Sequence, residues 1–503
     1  MSADYVLLDQ YLGKTGIPVG YFPLVGYKLT TDTGSFVLTG QTITLSAGRK
    51  LTVDTGTFSL TGTAVTFKRT FVLTADSGAF ALNGTDVTLK VARKLILNSG
   101  TFGLTGTDIA LKAARKISLA SGSYSLTGTD IALKTGRKLT VDAGIFYLTG
   151  TDAAFKVGRK LSLNSGVYSL TGTDIAFERT YILKTENGSF ILTGADAALN
   201  VGYKLNAASG IYELTGTDIE LKITRKLSVG SGSYNLTGTD VNLKRTYALV
   251  ADSGSFSLTG MPVNFERAYV LLAGSGSFNL TGYNVKLIRS THVFKLESGS
   301  FSLTGTPVNF KRTYILPASS GTFTLTGTSA NLIKGYALLA EAGNFMLVGT
   351  DVILKVARKL DLGSGAYSLL GTDITVNLAR KLSVDSGIFT FIGTGVELRA
   401  DHKLNVDAGI FYLTGEPVGL ERNYKLIAKE GIYSLTGTPV TLGRNYVLSL
   451  EPGIYILNGT DIGLYWWMWN ACRGYIIPAE DRNVIIPYED RVFAIPACDD
   501  GGK

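Results

Sequence analysis

Cysteine and histidine are nearly missing from this chain, whose 503 residues include two of each. Cys472 and Cys498 both lie near the C-terminus, so the bulk of the chain folds without a disulfide scaffold, and a bridge between the two is allowed but not demanded. No run approaches 18 consecutive apolar residues, which argues against a membrane-spanning helix and predicts no membrane insertion. The N-terminus, MSADYVLLDQYLGKTGIPVG, lacks a basic start followed by an apolar stretch, and so predicts synthesis in the cytoplasm without a Sec-type signal. Helical periodicity is absent throughout, and no glycine-rich phosphate loop precedes a helix. One-sided charge is also scarce: 48 Lys+Arg against 40 Asp+Glu leaves +8, too weak a surplus to predict nucleic acid as a partner.

Glycine and apolar residues are what the chain has. With 60 glycines but 45% hydrophobic residues, it is too apolar for a disordered glycine-rich polymer, and it lacks the every-third-glycine register of collagen. The glycines mark a 22-residue repeat, present in twenty copies over residues 27–464. Numbering each copy from the glycine before the aromatic residue (Gly34, Gly56 and so on to Gly453), the spacing deviates once, by a single residue near Ser290–His292. Insertions are therefore poorly tolerated or recently absent, as expected of stacked coils.

Two residues after the leading glycine stands Phe or Tyr (Phe36, Tyr124, Phe256), then Leu two further on with Phe391 as the exception, then a second glycine at the sixth position (Gly40, Gly128, Gly305). This period of two places alternate side chains on one face of a strand. A second pair at the ninth and eleventh positions (Ile131/Leu133, Val263/Phe265) and a third further on (Leu139/Val141) give three short strands per copy, or two where the second and third run together. Gly-Thr-Asp or Gly-x-Pro separates the first two strands and Asp-Ser-Gly closes the copy. As turn formers, the glycines are expected to supply positive φ and the aspartates to cap their own turns. The predicted fold is all-β: a β-solenoid of about twenty 22-residue coils, on the order of 100 Å long at a strand spacing of ~4.8 Å. An antiparallel array of β-hairpins, a meander, is the alternative, because copies such as residues 87–95 read as one unbroken alternation.

The fifteenth position carries Arg, His, Tyr or Phe in every copy before the last, allowing for the extra residue near 290, including Phe71, Arg93, Arg115, Arg137, Arg159, Tyr181, Tyr203 and Arg225. Planar groups that stack are common to this set, which predicts an external ladder. Both histidines, His292 and His402, fall in this slot, so they read as ladder members rather than catalytic groups. Lys134, Lys138, Lys355 and Lys359 extend the basic edge, and Arg93, Arg115, Arg137 and Arg159 form a candidate surface for ligand or assembly. The corner aspartates Asp108, Asp130, Asp152 and Asp174 invite comparison with the carboxylate pairs of glycoside hydrolases. Pro, Ser or Asn replaces them in other copies, which favours a turn role. Threonines flanking the second glycine (Thr127-Gly128-Thr129) resemble the Thr-x-Thr rows of ice-binding solenoids, a remote alternative beside the fitness of β-branched residues for exposed strands.

The ends differ from the repeat. Residues 1–26 are expected to cap or dock the first coil, since an open β end invites pairing with other chains. Residues 465–503 open with all three tryptophans, Trp466, Trp467 and Trp469, a hydrophobic cap or oligomer contact with sugar stacking as the sharper alternative. Three nonads follow (IPAEDR, IPYEDR, IPACDD), predicting short strands between charged turns; their carboxylates lack the His or Cys spacing of a metal site.

Tandem GSYSLTGTDIALK copies followed by IPAEDR nonads resemble repetitive structural proteins of tailed bacteriophages and prophages, over nearly the whole chain. The resemblance implies a virion fibre, shaft or surface decoration that self-associates and contacts other virion proteins, with no catalytic residue, cofactor or metal. A bacterial surface adhesin or matrix filament binding cell-surface glycan, located outside the cell, is the alternative. A polysaccharide-acting enzyme is a more distant one.

Overall fold

The computed structural model describes residues 22–23, 28–31, 33–46, 49–113, 115–223, 225–288, 293–378, 381–400, 403–428, 431–450, 454–459, 462–465, 475–477 and 483–485. Its described elements are strands, with no helix among them. The chain divides into two compact units, Met1–Tyr247 with Gly254–Gly260 and Ala248–Ser253 with Met261–Lys503.

In the first unit, each strand hydrogen-bonds in parallel to its counterpart in the neighbouring copy of the repeat. Phe102 pairs with Tyr124 and Tyr124 with Phe146; Asp108 pairs with Asp130 and Asp130 with Asp152; Lys116 pairs with Lys138. This is a β-solenoid. The hairpin meander is excluded for the described repeats, because a meander pairs neighbours antiparallel and within one copy. A representative coil has three strands, Ser123–Thr127, Asp130–Thr135 and Lys138–Val141. Elsewhere the second and third strands fuse, as in Asp174–Thr185, where the register slips between Phe177 and Ile182.

The alternation read from sequence becomes the core. Tyr124, Leu126, Ile131, Leu133, Leu139 and Val141 all point inward and are buried. The parallel in-register pairing stacks like upon like, so the second-position rings form an internal column: Phe102–Tyr124 centroids are 4.5 Å apart and Tyr124–Phe146 4.6 Å, nearly parallel. Phe155 stands edge-on to that column, 5.3 Å from Tyr168 at 69°. Offset stacking and edge contacts of this kind add to the burial of the rings themselves.

The corners hold together differently from the sequence expectation. At Gly128 no positive φ is involved; a Cβ there would lie 2.2 Å from the carbonyl oxygen of Gly106 in the preceding coil. Glycine is required because backbones of successive coils approach too closely for any side chain. Nor, among the described residues, does a carboxylate of the aspartates at 86–240 hydrogen-bond within its own turn. Asp130 donates its backbone N–H to Thr107 O of the previous coil (2.9 Å) and leaves its carboxylate outside. The closing corner is laced between coils by serine: Ser99 donates both its N–H (2.7 Å) and its hydroxyl (3.0 Å) to Asp76 O, and Ser165 bonds Asp142 O in the same way. Each peptide thus finds its partner one coil away, where a turn-forming residue would have found it within its own turn.

The second unit repeats this architecture. Phe301 pairs with Phe323 and Phe323 with Phe345, and the rings stack at 5.1 and 4.7 Å. The extra residue near 290 is absorbed without loss of phase, since Phe278 still pairs with Phe301, the equivalent ring of the next coil. Proline occupies the eighth position at Pro262, Pro307, Pro417 and Pro439, each following a cis peptide bond. At the C-terminal end the pairing reverses: Tyr475–Ile477 runs antiparallel to Ile462–Tyr465, and Asn483–Ile485 antiparallel to Ile454–Asn458. The short apolar strands just ahead of the first two nonad prolines therefore pair with strands of the last coil. At the other end, within the first unit, Phe22–Pro23 adds a short parallel rung against Leu45 and Ser46. The rest of residues 1–26, apart from the described positions, and the tryptophan cluster lie outside the described residues.

Candidate interaction face on the first unit

The second strand of each coil points its ninth, eleventh and thirteenth residues inward and its eighth, tenth and twelfth outward. Because coils stack in register, each outward position becomes a row running along the stack at ~4.8 Å intervals. From Asp86 to Asp240 the eighth position is aspartate in eight consecutive coils, each paired with the next. The tenth position of the same coils is Thr88 at the start, alanine over Ala110, Ala132, Ala154, Ala176 and Ala198, and Glu220 and Asn242 at the end. The twelfth position is lysine at Lys90, Lys112, Lys134, Lys156, Lys222 and Lys244, with Glu178 and Asn200 as the departures. Four residues of strand put the two charged rows ~13 Å apart.

The aspartate and middle rows border an open groove of about 1000 Å³, lined by the aspartates, the alanine floor, Glu220 and Asn242, with Lys244 from the lysine row. The aspartates are exposed, apart from the half-buried Asp240. Among the described residues no ion pair reaches any of the eight aspartates, nor Lys90, Lys112 or Lys134. The lysine row is satisfied only where acid enters it: Lys156 meets Glu178 at 2.5 Å, and Lys222 and Lys244 meet Glu220 at 2.9 and 2.7 Å. Burial pushes the Glu220 carboxyl up, but hydrogen bonds from Lys244 and Lys222 outweigh it and leave the pKa below the ordinary carboxylate value.

The fifteenth-position residues lie on the next corner. Arg93, Arg115, Arg137 and Arg159 are all exposed there, one per coil. Planar contacts occur where an aromatic residue interrupts the arginines. The Arg93 guanidinium sits 4.9 Å from the Phe71 ring centroid; that of Arg225 sits 4.6 Å from the Tyr203 ring and also donates to the Tyr203 hydroxyl at 2.8 Å; Tyr181 and Tyr203 are 6.3 Å apart. Trp466, Trp467, Trp469, His292 and His402 lie outside the described residues. The threonines flanking the second glycine form exposed rows, with Thr127 paired to Thr149 and Thr149 to Thr171.

In the sequence the aspartates read as turn formers, with catalytic carboxylate pairs as the lesser reading, and not as a continuous row. What would have exposed it is its phase: an unbroken series of eight, bounded by Ala64 before and Pro262 after. Among the described residues, no group of three or more His, Cys, Asp or Glu could hold a metal ion, and no helix is long and apolar enough to cross a membrane. Comparison with protein-family models, with curated proteins and with solved structures finds no match to this chain.

Proposed function

We propose that this chain is a non-enzymatic structural solenoid, a fibre, shaft or surface-decoration component of a tailed-phage virion, made in the cytoplasm and assembled with other virion proteins. The observation that carries it is the sameness of the exterior. The outward rows offer like chemistry coil after coil, Asp above Asp and Lys above Lys, whereas a catalytic site brings unlike groups together at one place. A surface repeated at fixed intervals suits scaffolding and repeated contact. Quantitative mass spectrometry of gradient-purified particles should find the chain in fixed stoichiometry with the major structural proteins; its absence from particles would overturn the virion assignment.

A bacterial surface adhesin or matrix filament binding anionic glycan is favoured by the exposed Arg93–Arg159 row. That reading predicts head-to-tail polymers on cells, visible by immunogold labelling.

A further inference from the structure

We infer that the second-strand face of the first unit is a self-complementary docking surface, and that a second copy of this chain seats on it side by side with its coils running the same way. The inference needs neither the virion nor the adhesin assignment. It starts from the order of the rows across the face: aspartate at one edge, a middle row that is alanine from Ala110 to Ala198 with Thr88, Glu220 and Asn242 outside that run, and lysine at the other edge. A two-fold axis laid over the alanine row, parallel to the stacking direction, turns one copy onto the other so that each aspartate row faces the partner's lysine row at both edges. An axis at right angles, along the strands, would set aspartate on aspartate and lysine on lysine, a repulsive arrangement. The face therefore selects one of the two symmetric modes.

Three further features agree. Both copies share the ~4.8 Å repeat, so rungs match along the whole row rather than at one point. Of the eight coils from Asp86 to Asp240, six carry the complementary lysine, and the exceptions are those with Glu178 and Asn200. Over the five coils from Ala110 to Ala198 the alanine floor lets two sheets approach the ~10 Å of face-to-face packing, a gap that an extended lysine and an aspartate together span. Counting both rows of side chains, the strip is roughly 35 Å by 20 Å, about 700 Å² per partner, close to the size of a specific interface. In a single copy the charged rows repel along their own length, since the ~4.8 Å spacing is well inside the Debye length, and the eight aspartates and Lys90, Lys112 and Lys134 have no ion-pair partner among the described residues. A second copy supplies the opposite charge to both rows at once.

Sedimentation velocity on the full chain tests this. The wild type should dimerise at about 50 mM salt, with its dissociation constant weakened at least about tenfold in 0.5 M salt. A basic-faced variant (Asp108→Lys, Asp130→Lys, Asp152→Lys) and an acidic-faced variant (Lys112→Asp, Lys134→Asp, Lys156→Asp) should each lose self-association, and mixing them should give a 1:1 heterodimer. A third chain carrying all six substitutions exchanges the two charges in three coils, keeps the wild-type net charge and should dimerise again. If either triple variant fails to fold by circular dichroism, the exchanged chain decides alone. A wild type that stays monomeric at low salt, a dimer indifferent to all three variants, or a monomeric chain that instead retains a glycan on this face would each overturn the inference.

Discussion

At the residue scale, the roles of individual glycines and tyrosines separate cleanly. A Cβ on Gly128 would meet Gly106 O at 2.2 Å, whereas one on Gly103 would meet nothing within 4 Å. Gly128→Ala should therefore destabilise the first unit by about 3 kcal/mol or more through a backbone clash between coils, while Gly103→Ala, in mid-strand, should be neutral or stabilise by roughly 0.5 kcal/mol. Chemical denaturation of the two variants would show the contrast. The ring column gives a second test. Tyr168 is fully buried, its hydroxyl finds no partner among the described residues, and its neighbours in the column are Phe146 and Phe190. Removing that hydroxyl relieves the cost of an unpaired buried polar group, so Tyr168→Phe should stabilise by about 1 kcal/mol, read as a higher Tm. A lower Tm would place a hydrogen-bond partner on that oxygen.

At the scale of the coil, the governing fact is that strands pair between equivalent positions of neighbouring copies. Removing residues 101–122 joins Gly100 to Ser123, the residue that occupies the place of Thr101 in the next coil. Such a chain should fold with its remaining strands in register and lose only a few degrees in Tm, because each coil contacts chiefly its neighbours. Removing only the first half of that segment, 101–111, destroys the phase and should abolish cooperative unfolding. Within a coil, Leu126→Ala should cost roughly 2–5 kcal/mol, since this side chain is completely buried in the column of leucines. Ser99→Ala, at an exposed corner, forfeits one bond to Asp76 O and should cost about 1 kcal/mol or less.

Across the whole chain, the buried tyrosines set the alkaline limit. Tyr124, Tyr168, Tyr212 and Tyr234 in the first unit and Tyr367 and Tyr433 in the second all have pKa values raised by burial above the ordinary 10.0. The folded chain thus holds phenolic protons that the unfolded chain releases above pH 10. The stability they confer is fully present below that pH and is lost as pH rises through it, at about 1.4 kcal/mol per pH unit for each tyrosine. Unfolding followed by circular dichroism should show stability flat on this account below pH 10 and falling steeply beyond it. Replacing Tyr124, Tyr168, Tyr212 and Tyr234 by Phe should flatten the decline for the first unit.

The sequence by itself determined the strand positions, the inward set and the pitch of the repeat, because alternation of apolar residues and invariant spacing are local properties that any stacked β-coil must carry. The planar slot at the fifteenth position was legible as a recurring residue type, but among the described residues the structure makes planar contacts only beside aromatic members, as in Arg93–Phe71 and Arg225–Tyr203. Only the tertiary structure decided what the corners and the outward residues do. Gly128 looked like a turn residue, yet its constraint comes from Gly106, one coil earlier. Asp130 looked like a turn cap, yet its carboxylate stands in a row with Asp108 and Asp152 beside a floor of alanines. The physical reason is that the solenoid satisfies its backbone between coils rather than within turns. Parallel in-register stacking then turns each outward residue into a row of like residues, and the aspartates and lysines into lines of charge, a property no single copy of the repeat possesses.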